Sequence, residues 1–162
     1  MMHKTKKEVY LKIIFLISFI AIISAYYIEY ILGYQPCNLC LIERVPYALG
    51  LLILAINFKF KNNEKFLVLL LILTFFFSLL ISVYHFGIEE DFFHESSICD
   101  VKNSNSILSK QELLLELQKK RVSCKDVTFR IFGLSLTSIN IIINIMFLSL
   151  LTKIFIFYEK IK

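Results

Sequence analysis

Apolar residues in this chain gather into long blocks, separated by short polar segments carrying most of the charge. Four blocks approach the roughly 20 apolar residues that a helix needs to cross a bilayer. They cover about residues 13–32, 42–60, 66–88 and 131–152. The first holds Glu29 near its far end, the third has no formal charge apart from a possible proton on His85, and the fourth has none. The second is short and needs Leu41 and Ile42 to reach length. Pro46 suits its helix start, where a missing N–H costs no hydrogen bond. A proline there also argues against a helix running back through Cys40. The expected fold is an all-α integral membrane protein, a four-transmembrane-helix bundle forming a single domain over residues 1–162. Loops of about 33–44 and 89–130 join the spans on one side. Within the long loop, Ser109 and Glu112 have capping-box spacing, and Leu113, Leu114 and Leu117 follow as one apolar face. Lys119, Lys120 and Arg121 close that segment as a helix dipole favours, so a short amphipathic helix is predicted, lying in the membrane interface or packed over the bundle.

Composition sharpens the membrane reading. The chain is 57% hydrophobic with a mean hydropathy of +0.70 and only 19% charged residues, against about a quarter charged in a soluble domain. Its net charge of +5 comes from lysines beside apolar runs, which points to membrane orientation and away from nucleic acid. Lys4, Lys6, Lys7 and Lys12 precede the first span, Lys59, Lys61 and Lys65 lie between the second and third, and Lys153, Lys160 and Lys162 follow the fourth. The loop between spans one and two has only Arg44, and the long loop is nearly balanced with seven basic and eight acidic residues. The positive-inside rule therefore places both termini and the 59–65 turn in the cytoplasm. A cleaved signal peptide is the alternative for the first span, with Ile23-Ser24-Ala25 as a weak cleavage site, but the apolar run continues to Leu32.

All four cysteines then fall on the outer side: Cys37 and Cys40 in the short loop, Cys99 and Cys124 in the long one. An oxidising compartment, such as the one outside a bacterial inner membrane, makes them candidates for disulfide chemistry. The spacing Cys37-Asn38-Leu39-Cys40 suits thiol cycling, and Arg44 is a cation that could favour a thiolate. An inert disulfide and half a zinc site share that spacing. Zinc is disfavoured because Cys99 and Cys124 have 24 residues between them, where a four-cysteine site brings two short pairs. Covalent haem lacks its histidine, since Leu41 follows Cys40. No metal site is expected. The distant cysteines read as a long-loop disulfide, by itself a brace of about 3 kcal/mol, or as a second dithiol that relays electrons to the first.

The run Cys37-Asn38-Leu39-Cys40-Leu41-Ile42-Glu43-Arg44, with Pro46-Tyr47 after it, resembles the disulfide bond formation protein B (DsbB) family. So do Tyr84-His85-Phe86-Gly87-Ile88-Glu89 and the stretch from Cys124-Lys125-Asp126 into Phe132-Gly133-Leu134-Ser135-Leu136 and Asn140. The chain has no tryptophan, and Phe129 stands where relatives often place one. The resemblance implies a thiol:quinone oxidoreductase of the bacterial inner membrane with periplasmic cysteines. It implies catalytic disulfides Cys37–Cys40, reoxidised by ubiquinone or menaquinone, and Cys99–Cys124, exchanging with a soluble DsbA-like thioredoxin-fold protein. Arg44 would hold the quinone ring, with His85 a second candidate for cofactor binding. Asn140 and Asn144, one turn apart with Thr137 on the same side, read as interhelical packing contacts. A membrane scaffold merely braced by disulfides is the competing class.

Overall fold

The computed structural model describes residues 2–59, 63–94, 99, 123–125, 129–131 and 133–160. Four long helices dominate: α1 (Met2–Tyr30), α2 (Asn38–Lys59), α3 (Glu64–Glu89) and α4 (Leu136–Lys160). Each contains a stretch long and apolar enough to cross a membrane: Lys7–Tyr30, Asn38–Lys59, Glu64–Glu89 and Leu136–Ile156. Apolar side chains also cover the outside of the bundle. Leu16, Ile23, Leu52, Phe66, Phe77, Leu80 and Ile142 are all half exposed or more. In water such a surface would aggregate; against lipid it is the favourable one. The chain is a multi-pass membrane protein with a four-helix bundle.

Helix α3 is the centre, packing most extensively on α4 and next on α2, while α1 packs on α2 and only lightly on α4. The seam between them has two halves. In the apolar half Phe75 and Phe147 meet edge to face with ring centroids 4.8 Å apart, and Tyr47 sets its ring against both. Leu54, Val68, Leu71 and Leu151 fill the space around them. Gly50 matters here, because a Cβ at that position would lie 2.9 Å from the Phe75 ring; the missing side chain lets the aromatic pack on the backbone of α2. In the other half the same stripes turn polar: Glu43 on α2, Ser78, Ser82 and His85 on α3, Thr137 and Asn144 on α4 are buried.

Two boundaries differ from expectation. Helix α2 begins at Asn38 and continues through Cys40 and Pro46, so the loop before it is shorter than 33–44. Pro46 removes one amide donor from the ladder. The helix persists because Leu39, Glu43, Tyr47, Gly50 and Leu54 form one buried face, and 22 residues reach about 33 Å, enough for the hydrocarbon core, where a later start would not. Before α4, Arg130–Ile131 pairs antiparallel with Leu134–Ser135 as strands β1 and β2, turned by Gly133 at φ +84°. Ser135 Oγ then accepts the Ser138 N–H at 3.2 Å, an N-cap that starts the helix five residues later than expected. The amphipathic helix expected from Ser109 lies outside the described residues.

Candidate redox site at one end of the bundle

Helix α1 ends at Tyr30, its last carbonyls taken up by Ile31, Leu32 and Tyr34 N–H groups. Gly33 then turns the chain at φ +75°, a conformation that glycine adopts without steric cost. Four residues later Cys37 stands as the N-cap of α2. Its carbonyl accepts the Leu41 N–H at 3.2 Å, and its Sγ accepts the Cys40 N–H at 3.3 Å. A sulfur in this position feels the positive end of the helix, which favours thiolate.

The Cys37 and Cys40 sulfurs lie 2.8 Å apart as free thiols, and His85 Nε2 of α3 is 3.5 Å from Cys37 Sγ. The hydrogen bond shared with Cys40 holds the Cys37 thiol down at about 5 from an ordinary 9.0, and the His85 hydrogen bond and charge add to it, against burial that pulls the other way. Arg44, expected to supply this cation, is turned elsewhere. Its guanidinium donates to Glu29 Oε2 of α1 at 2.5 Å and lies over the Tyr26 ring, 5.1 Å from its centroid. The pairing follows from topology, since α1 and α2 run antiparallel across a short turn and bring the two charges to the same depth.

Behind His85 the polar half of the seam forms a network. Its Nδ1 is 3.1 Å from Glu43 Oε1 and 3.2 Å from Thr137 Oγ1. Thr137 donates to Glu89 Oε1 at 2.6 Å. Asn140 Nδ2 donates to Glu43 Oε2 at 3.0 Å and to Ser82 Oγ at 2.8 Å, its carbonyl accepts Tyr47 O–H, and Asn144 donates to the same oxygen. Asn140 thus bonds between helices and fixes the carboxylate that orients His85, while Asn144 supports it from one turn along α4. Glu89 Oε2 is buried with no hydrogen-bond partner among the described residues. Glu29, Glu43 and Glu89 carry no role in the sequence reading, although carboxylates within apolar spans are costly and flag function by that fact alone.

Cys99 and Cys124 form a disulfide with Cα atoms 5.5 Å apart. They are buried in one cluster with Cys37, Leu39 and Ile88, against which Cys40 packs. A cavity of about 350 Å³ opens beside this cluster. Its walls are mainly apolar, from Ile17, Ile20 and Ala21 of α1 to Ile139 and Ile143 of α4, and its polar lining is Cys37, Cys40, Arg44, Tyr47, His85 and Cys124, among others. The fold therefore gathers all six expected site residues at one end: four sulfurs in one cluster, with Arg44 and His85 on the wall of the adjoining cavity.

The family model described as disulfide bond formation protein DsbB matches residues 7–154. An uncharacterised protein of Rickettsia prowazekii (strain Madrid E) is 32% identical over 163 aligned residues, spanning 97% of this chain and 92% of its relative. No solved structure matches the chain. With its four sulfurs clustered at one end of a membrane bundle, the chain belongs to the DsbB family of disulfide-bond-forming membrane oxidoreductases.

Proposed function

We propose that this protein removes electrons from a soluble thioredoxin-fold thiol protein of the DsbA kind and delivers them to a membrane quinone. The observation that carries the reading is the single cluster joining Cys37, Cys99 and Cys124 at the mouth of an apolar cavity. Electrons entering at one cysteine pair need travel only across packed sulfurs to reach the other.

The exchange balances without any group beyond the chain and its two substrates. A partner thiolate attacks the Cys99–Cys124 disulfide, a mixed disulfide forms, and the partner's second thiol resolves it. The partner leaves oxidised and Cys99 and Cys124 remain as thiols. They in turn reduce a Cys37–Cys40 disulfide by the same chemistry. Cys37 suits the leaving role in this step, because its lowered pKa makes it a good leaving thiolate at neutral pH. The Cys37–Cys40 dithiol must then lose two electrons and two protons. Quinone, when bound, supplies the sink for both.

The residues present fit such a group. The apolar wall from α1 and α4 suits an isoprenoid tail, and the polar wall carries donors for a ring carbonyl. Arg44 would hold the ring, its orientation set by Glu29 and Tyr26. His85, held by Glu43, is placed to take a proton from the Cys37 thiol, and the Thr137–Glu89 bond continues the path. The cysteine end would face the periplasm and the lysine-rich end the cytoplasm of a bacterial inner membrane. Labelling of intact cells with a membrane-impermeant maleimide should modify the reduced cysteines from outside.

The decisive experiment is reoxidation of a reduced thioredoxin-fold oxidant by the purified protein with ubiquinone or menaquinone. The wild type should turn over, and Cys37→Ser and Cys124→Ser should each stop at background while still inserting in the membrane. Continued turnover by Cys37→Ser would refute the relay, and a chain that only braces its outer loop with disulfides would show no turnover in any form.

A further inference from the structure

We propose that the reduced protein binds one zinc-like divalent cation through Cys37, Cys40 and His85. The two sulfurs and an imidazole nitrogen of His85 all lie within 4.8 Å of one another. A tetrahedral zinc ion with ordinary bond lengths sets sulfur and nitrogen about 3.6 Å apart and two sulfurs about 3.8 Å apart. His85 Nε2 already meets this, at 3.5 Å from Cys37 Sγ. The sulfurs, at 2.8 Å, reach it by side-chain rotation, which the partly exposed Cys40 can make.

Glu89, also on α3, stands beside this group. Glu89 is nine-tenths buried, Oε1 stands 3.9 Å from His85 Nε2, and Oε2 has no partner among the described residues. An unpaired carboxylate oxygen is costly at that depth, and a cation held by the sulfurs and the imidazole offsets that cost by placing positive charge nearby. His85 also carries the outer partner that metal-binding histidines usually have, since Nδ1 faces Glu43 Oε1 at 3.1 Å. That contact leaves Nε2 as the nitrogen turned to the sulfurs. A four-cysteine site does not form, because Cys99 and Cys124 are engaged with each other; α3 instead supplies the His85 nitrogen beside the two sulfurs of the short loop.

Binding is not a redox step. Two metal–sulfur bonds form, any proton still on either thiol leaves to solvent, and no electron moves. Occupancy requires the dithiol, so a Cys37–Cys40 disulfide excludes the cation, and a bound cation withholds both sulfurs from exchange. The inference stands on the donor geometry and does not depend on quinone being the acceptor.

The test uses the full chain in lipid nanodiscs, reduced, stripped of metal and free of reductant, titrated with cobalt(II) and then zinc(II). Alongside it runs the Cys99→Ala/Cys124→Ala chain, which keeps only the proposed sulfurs. Both should take up one cobalt with the intense visible absorption of a tetrahedral site and a near-ultraviolet thiolate band, and zinc should bleach both. Glu43→Gln should weaken affinity roughly 10- to 100-fold with the same spectrum, as loss of an outer partner does. Wild type oxidised at Cys37–Cys40, which tests the site without a substitution, should bind none. A weak octahedral spectrum, no thiolate band in the double variant, or equal uptake by the oxidised protein would each overturn the proposal.

Discussion

The two ends of this bundle handle charge in opposite ways. At the cysteine end, Glu43, His85 and Glu89 are drawn inside the protein and bonded to one another or to Thr137 and Asn140, with the half-buried Arg44–Glu29 pair beside them. At the other end the lysines stay near the surface. Lys7 pairs with Glu64, both side chains keeping some exposure, and Lys65 lies over the Phe155 ring at 5.1 Å. Between the two ends lies the Phe75–Phe147–Tyr47 cluster, with no charged group in it. Burying charge in a membrane bundle is expensive, so a fold that does so at one end only is spending stability where chemistry is done. The lysine end needs only orientation and a closed helix pair.

The comparison predicts a graded set of responses. Loss of Cys37 sulfur, by Cys37→Ser, should take thiol-to-quinone turnover to background, the largest effect of any single change. Next comes the thiolate itself. In metal-free reduced protein, alkylation of Cys37 should stay near its plateau down to about pH 5 and fall as pH drops through that value, because the lowered pKa keeps the thiolate populated above it. His85→Ala should move that midpoint upward, since the imidazole stabilises the thiolate; an unchanged midpoint would mean the helix cap and Cys40 suffice. Arg44→Gln should raise the quinone KM roughly tenfold, the worth of a charged hydrogen bond, and leave Cys37 alkylation alone. A large change in alkylation there would tie Arg44 to the sulfurs after all. In the apolar belt, Gly50→Val should cost about 1–3 kcal/mol in unfolding measurements through overpacking against Phe75, with turnover per folded molecule unchanged. Smallest is Lys7→Gln at the far end, under about 1 kcal/mol and without effect on turnover. If that distal change altered catalysis, the two ends would not be separable.

Hydropathy alone made the membrane class and the four helices legible, because a span must be apolar along its whole length whatever it packs on. The cysteine pairs were equally plain, and the family motifs made their partnership an expectation before any geometry. Less was legible inside the spans. Pro46 was read as a helix start, a local rule that the buried face from Leu39 to Leu54 outweighs. Arg44 was read toward the sulfurs because only its distance along the chain from Cys40 was known, and its Glu29 partner lies on another helix. Asn140 and Asn144 read as packing contacts; that Asn140 bonds to the carboxylate behind His85, with Asn144 bonded to it in turn, depends on which face of α4 meets α2 and α3.

What the sequence determined by itself is therefore what local composition controls: lipid as the solvent, the number of crossings, lysines parted from cysteines, and sulfur chemistry as the activity. Only the tertiary structure decided that His85 stands against Cys37, that Glu43 and Glu89 flank it, and that Cys124 packs on the other pair. Those neighbours come from the rotation and depth of each helix against the next. That is settled by the packing of side chains such as Phe75 over Gly50, far along the chain from the sulfurs they align.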